Sequence, residues 1–146
     1  MRPVTKRYDA IVLGAGAAGL MSAHVAGKRG RKILLVDHAE EPGKKILISG
    51  GGRCNFTNLY TEPHCFLSHN PHFARSALAR YQPQDFIDLV NRYGIAFHEK
   101  ALGQLFCDGR AHQIVDMLVS ECNAGGVELV VDQSVRALEH RDGQFY

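Results

Sequence analysis

The chain has 146 residues, 45% apolar and 22% charged, with 15 glycines and no tryptophan. These proportions belong to a globular chain of about one domain's length and exclude a disordered, collagen-like or acidic-tail sequence. With 17 Lys+Arg against 15 Asp+Glu the formal charge is +2, too small a surplus to mark a polyanion binder on its own.

Among its apolar runs, Ala10 to Leu13 and Ile33 to Val36 stop far short of the roughly 18 residues of a membrane span. Arg2, Lys6 and Arg7 are followed by a glycine-rich stretch without a cleavage signal, which argues against a signal peptide. The expected setting is the cytoplasm. Cys54, Cys65, Cys107 and Cys122 have neither C-x-x-C nor zinc spacing, so reduced cysteines are expected and no metal is proposed.

In chain order, Tyr8 to Leu13 reads as a buried strand and Ala17 to Lys28 as a helix weakened by Gly27 and ended at Gly30. Lys32 to Asp37 reads as a parallel strand covered on both faces. From His38 to Pro71, Gly43, Gly50-Gly51-Gly52 and the prolines break any period, as in a long functional loop. Two proline-opened helices are expected, Pro71 to Tyr81 and Pro83 to Tyr93, the second burying Phe86, Leu89, Val90 and Tyr93. Short strands at Ile95 to Glu99 and Gln104 to Cys107 flank a Gly103 turn. An amphipathic helix, Ala111 to Cys122, carries Ile114, Val115, Leu118, Val119 and Cys122 on one face and stops at Gly125-Gly126. Strands at Val127 to Val131 and Val135 to Leu138 complete the pattern.

Between the first strand and the first helix stands G-A-G-A-A-G, with Gly14, Gly16 and Gly19. The first glycine makes the tight turn, the second admits a pyrophosphate to the backbone and the third lets helix and strand pack closely. Ala15 and Ala18, in the same turn, are expected to contact the pyrophosphate with the three glycines, and the helix N-terminus offers free N–H groups to phosphate. Asp37 follows Gly14 at the spacing of an acid that accepts the ribose hydroxyls; the plain alternative is a solvated strand end. The fingerprint serves NAD, NADP and FAD alike. The long loop after Asp37 favours the larger ligand, FAD, and the acid itself would repel a 2′-phosphate. The expected class is therefore α/β, a Rossmann-like doubly wound FAD-binding domain.

Gly43 to Asn58 reads G-K-K-I-L-I-S-G-G-G-R-C-N-F-T-N. A three-glycine loop flanked by Lys44, Lys45 and Arg53, with Ser49, Asn55, Thr57 and Asn58, suits a phosphate or an anionic flavin; the alternative is a structural loop with a solvated basic edge. Together with N-P-H-F-A-R-S-A-L-A-R-Y (Asn70 to Tyr81) and F-H-E-K-A-L-G-Q-L-F-C-D (Phe97 to Asp108), this string resembles the bacterial YhiN and BaiN flavoproteins, sometimes labelled an aminoacetone oxidase family, and is most similar to enterobacterial YhiN.

The resemblance implies the two-dinucleotide-binding-domain flavoprotein type, with residues 1–146 forming the N-terminal part of an FAD-binding domain; a substrate domain and a C-terminal segment completing the FAD site are expected elsewhere. It places Lys45, Ser49, Gly50, Gly51, Gly52, Arg53 and Asn55 along the flavin and pyrophosphate, and Val135 where main-chain groups hold adenine, unless it is an ordinary core valine. It also implies hydride transfer through FAD from NAD(P)H to an activated C=C bond, in a uracil of ribosomal RNA or an enone. The reductant would bind transiently or elsewhere, since no second fingerprint is present. A non-catalytic nucleotide-binding or RNA-associated module is the rival reading, and the substrate is either a small molecule or ribosomal RNA.

Arg53 reads either as a charge near the isoalloxazine or as a phosphate ligand. Cys54 reads as a packed small residue or a substrate-side group, its nearest cysteine in sequence, Cys65, being too poorly placed for a dithiol pair. His98 and Glu99 are possible proton donors, no catalytic residue being assigned. The basic run Lys28 to Lys32 reads as a solvated helix end, with RNA contact as the sharper alternative.

Overall fold

The computed structural model describes residues 6–146, so Arg2 lies outside the described residues. The chain divides into two compact units, one of residues up to 44 and from 118 onward, the other of residues 45–117.

The first unit begins with β1 (Ala10–Leu13), α1 (Ala17–Lys28) and β2 (Ile33–Val36). Its four-residue apolar strands pair in parallel, Ala10 with Ile33 through Leu13 with Val36, as a β-α-β crossover demands. The α1 bounds coincide with the sequence reading. In the second unit follow α2 (Lys44–Ile48, its first residue counted with the first unit), a 3₁₀ turn (Ser49–Gly52), β3 (Asn55–Asn58), a 3₁₀ turn (Pro63–Cys65), α3 (Arg75–Arg80), α4 (Pro83–Arg92), β4 (Phe97–Glu99) and β5 (Gln104–Cys107). Helix α5 (His112–Ala124) has residues counted in both units; β6 (Glu128–Val130) and the hairpin β7 (His140–Arg141) and β8 (Gln144–Phe145) lie in the first.

β6 joins the parallel sheet beside β2, giving the order β1-β2-β6. On one face of β1 and β2, the α1 side, Leu35 is fully buried and sits beside Gly19. On the other, Ile11, Leu13, Leu34 and Val36 line a groove of about 790 Å³ shared with Val135, Leu138, Phe145 and Tyr146. The cover on both faces expected of β2 agrees with its burial, whereas β1, expected to be buried, is an edge strand whose Ile11 and Leu13 are exposed. The expected strand at Val135 to Leu138 is absent: these residues form no ladder, because a strand exists only by pairing and this segment has no hydrogen-bonded partner among the described residues. Val135 is half exposed, so it is not a core valine either.

In the second unit β3-β5-β4 form an antiparallel sheet whose aromatic core sets Phe56 against Phe86 of α4 and edge-on to Phe97 of β4. Pro83 opens α4 and the Asp85 carboxylate accepts the Gln82 N–H at 2.6 Å, an N-terminal brace. The buried face of α4 is Ile87, Leu89 and Val90, with Tyr93 exposed past its end, since Ile87 rather than Tyr93 follows the helical stripe inward.

Candidate cofactor site

Each unit carries one of the glycine loops. In the first, the Gly14 N–H donates to the Val36 carbonyl at 2.7 Å, which ties the turn to the end of β2. A side chain on Gly19 would place its Cβ 1.8 Å from the Gly14 carbonyl oxygen, so α1 can start this close to the turn only with glycine there. Gly16 differs. Its φ of −80° and ψ of −171° suit any residue, and a Cβ there would meet nothing within 4 Å. Neither conformation nor internal packing requires a glycine at 16, and the open space there leaves the backbone accessible to a ligand.

The first turn of α1 has no side-chain cap and no acidic residue, and Ala17 and Ala18 are exposed, so its N–H groups and the positive end of the helix dipole face outward. Ala15 is enclosed: its N–H donates to Asp37 Oδ2 at 2.5 Å and its carbonyl accepts the Gly43 N–H at 2.7 Å. The outward donors therefore come from the helix start around Ala18 rather than from Ala15.

Asp37 is held on four sides. Its N–H donates to the Val130 carbonyl, its carbonyl accepts the Gln133 N–H, and its carboxylate accepts from Ala15 and, through Oδ1, from Ala39 at 2.8 Å. The Ala39 N–H, with that of Ala15 and the nearby His38, holds the carboxyl below the usual carboxylate range against the opposing effect of burial. A carboxylate offers about four acceptor positions, and two are occupied by the protein. The remainder can take a ribose diol, so the residues present fit an adenosine-pyrophosphate ligand. Val135 lines the groove on the far face of the sheet.

In the second unit, Gly50 is structural: its φ is +57° and a Cβ would lie 2.7 Å from the Phe106 ring. Gly51 and Gly52 also have positive φ, and Gly51 faces open space. The Ser49 hydroxyl donates to the Ile46 carbonyl, and the Asn55 amide nitrogen, in the orientation its neighbours require, donates to the Thr57 and Leu105 carbonyls; both side chains brace the loop. Lys45 is exposed on α2. Arg53 lines a cleft of about 480 Å³ with Leu47, Gly51, Gly52, Arg110 and His112. The Ala111 N–H donates to the Gly52 carbonyl at 2.8 Å, which joins the triglycine loop to the start of α5. Neither guanidinium has an ion-pair partner among the described residues, while Asp108 at the rim is engaged by His98 Nδ1 at 2.6 Å. Two unpaired arginines, a histidine and a helix N-terminus make an anion-accepting cleft. Arg110 and His112 escaped the sequence reading, although a glycine and a cation immediately before a helix are a recognisable signal.

His98 and Glu99 have structural duties: His98 stacks on Phe106 besides binding Asp108, and the Glu99 carboxylate accepts the Gly103 N–H at 2.9 Å in the tight turn. Lys28, read as a solvated helix end, instead pairs with Glu121, a largely buried acid of α5 that His24 also approaches at 3.8 Å. Lys6 and Tyr8 likewise converge on Glu128.

The HI0933-like protein Rossmann domain family matches residues 8–146. The chain belongs to this family. It is a Rossmann-like FAD-binding domain. It is 65% identical over 122 residues to the ribosomal RNA dihydrouridine synthase of Escherichia coli, covering 84% of this chain and 30% of that protein. To the protein of the same name from Haemophilus influenzae it is 53% identical over 129 residues, covering 88% and 32%. The chain thus spans about a third of the length of these curated relatives. A solved 3-ketosteroid-delta4-(5alpha)-dehydrogenase from Rhodococcus jostii shares the fold with a TM-score of 0.64 at 17% identity, over 96% of this chain and 41% of that one. No helix among the described residues is long and apolar enough to cross a membrane.

Proposed function

We propose that this chain supplies the FAD-binding part of an enzyme that reduces the C5=C6 bond of a uracil in ribosomal RNA, a cytoplasmic substrate, with NAD(P)H as reductant. The cofactor assignment rests chiefly on Gly16, a glycine that the protein alone does not need, beside an uncapped helix N-terminus and a pre-set Asp37. The substrate assignment rests on likeness to two proteins named as ribosomal RNA dihydrouridine synthases.

When bound, FAD would supply hydride transfer, taking a hydride from NAD(P)H and delivering it to the electron-poor double bond. The chain's own residues bind and orient. Gly14, Gly16, Ala18 and Gly19 would hold the pyrophosphate at the start of α1, Asp37 the adenosine ribose, and the main chain near Val135 the adenine. The triglycine loop with Lys45 and Ser49 to Asn55 would lie along the flavin. Arg53 and Arg110 would provide positive charge for phosphate or for the reduced flavin.

The test is the full-length protein incubated with an unmodified ribosomal RNA transcript and either nicotinamide cofactor. We expect a flavin absorption band near ~450 nm on the purified protein and dihydrouridine in the RNA. A flavin-loaded protein that oxidises NAD(P)H but leaves every uracil intact would contradict the substrate assignment and leave the cofactor assignment standing. Protein that takes up no FAD would contradict both.

A further inference from the structure

Cys54 and Cys107 lie 53 positions apart in sequence and meet through their main chains in the second unit. Asn55 of β3 pairs with Phe106 of β5 in antiparallel register; Cys54 immediately precedes β3 and Cys107 ends β5. The backbones meet there: the Cys107 N–H donates to the carbonyls of Arg53 at 3.0 Å and Cys54 at 3.4 Å. That 3.4 Å contact between the Cys107 N–H and the Cys54 carbonyl holds the two Cα atoms no more than about 7 Å apart, within reach of the window of roughly 4.4–6.8 Å that a disulfide spans. Both side chains are buried, 4% and 0% exposed, and both are free thiols. Burial pushes the Cys54 thiol up, with the Ser49 hydroxyl partly opposing, and pushes Cys107 to about 11, with the charge of Cys54 adding to the rise, as expected of neighbouring thiols.

Cys54 is also the residue at which the triglycine loop enters β3. Its φ is +53°, a left-handed value uncommon for a residue with a side chain, and its N–H is tied back to the Ser49 carbonyl at 3.1 Å. A covalent link from this residue to β5 would fix the Ser49–Arg53 loop at both ends.

We propose that Cys54 and Cys107 form a reversible cross-strand disulfide under a small-molecule disulfide oxidant, an oxidation-dependent clamp on the triglycine loop. The Cys54 thiolate attacks one sulfur of glutathione disulfide and releases one glutathione. Cys107, losing its proton, then displaces the second glutathione from the mixed disulfide, so that two protein thiols are oxidised and one glutathione disulfide becomes two thiols. Burial limits the thiolate fraction at neutral pH, so the clamp closes slowly and the structure holds its open form.

The experiment is peptide mapping of the full-length protein after incubation with glutathione disulfide at several pH values, unreacted thiols being alkylated on quenching in denaturant. The expected product is one peptide joining Cys54 to Cys107, about 2 Da lighter than its reduced halves, restored by reductant and forming up to about tenfold faster per pH unit from 7 to 9. In Cys54→Ser and Cys107→Ser proteins that peptide must disappear while the exposed Cys65 still reacts. Recovery of Cys54 and Cys107 as separate free or glutathione-bearing residues, under conditions that fully convert Cys65, would overturn the proposal. So would a bridge from Cys54 to Cys65. The wild-type map decides the matter even where a serine variant does not fold.

Discussion

Asp37 accepts two backbone N–H groups within the protein itself, so its carboxylate shapes the glycine turn and keeps the acceptor positions that the proposed function assigns to a ribose. Asp37→Ala should lower the melting free energy of the ligand-free protein by about 2 kcal/mol, the scale of losing charged hydrogen bonds to enclosed donors, and weaken FAD by about 1–3 kcal/mol. Thermal melts and flavin titration check the two effects separately, and an unchanged FAD affinity would remove Asp37 from the ribose. The sign with pH follows from its depressed pKa: the contribution is complete above the unfolded value of about 3.9 and is lost as pH falls through the lower folded value. Wild type should therefore lose stability more steeply than Asp37→Asn in acid unfolding below about pH 4. The Asp37 spacing was legible in the sequence because the β-α-β unit fixes it. Its bond to Ala15 was not, since that depends on the parallel pairing of β1 with β2. Nor was the partnership of Arg53 with Arg110, which only the folding of α5's start beside the triglycine loop creates.

At the scale of elements, α1 and the C-terminal part of α5 are joined by contacts of two kinds. A Cβ on Gly27 would stand 2.5 Å from the Gly125 carbonyl oxygen, so the glycine that weakens the helix by propensity is what allows the close approach. One turn away, Lys28 and His24 meet the Glu121 carboxylate, which is 9% exposed. Removing one partner of a largely enclosed charge cluster costs more than the cluster's net contribution, because the remaining charge stays desolvated. Lys28→Ala, which leaves the Glu121 carboxylate enclosed, should cost about 2–3 kcal/mol in denaturant unfolding, and a change within about 0.5 kcal/mol, the size of a surface substitution, would contradict this reading. A run of helix formers between the fingerprint and Gly30 found α1, and periodicity found α4 and α5 through their apolar stripes. It overextended the helix expected from Pro71. There the Asn70 side chain accepts the His72 N–H at 3.0 Å and main-chain bonds span three residues, so the backbone turns and only Arg75–Arg80 is helical.

Over the whole molecule, strand-helix-strand alternation and the glycine fingerprint were enough to read a Rossmann-like dinucleotide-binding domain, and the long loop after Asp37 favoured FAD. What they could not convey is that residues 45–117 fold as a compact unit with an antiparallel sheet of its own, because short strands reveal partners only through long-range pairing. Under the proposed function, Gly16 serves a pyrophosphate, whereas Gly19 serves the turn's own packing. Paired measurements on Gly16→Ala and Gly19→Ala, melting without ligand and FAD affinity by flavin titration, test it most directly. Gly19→Ala should lose about 3 kcal/mol of stability from the clash with Gly14, at the upper end of overpacking costs. Gly16→Ala should melt like wild type and bind FAD at least ~100-fold more weakly, about 3 kcal/mol. A Gly16→Ala protein that binds FAD as tightly as wild type would contradict the claim.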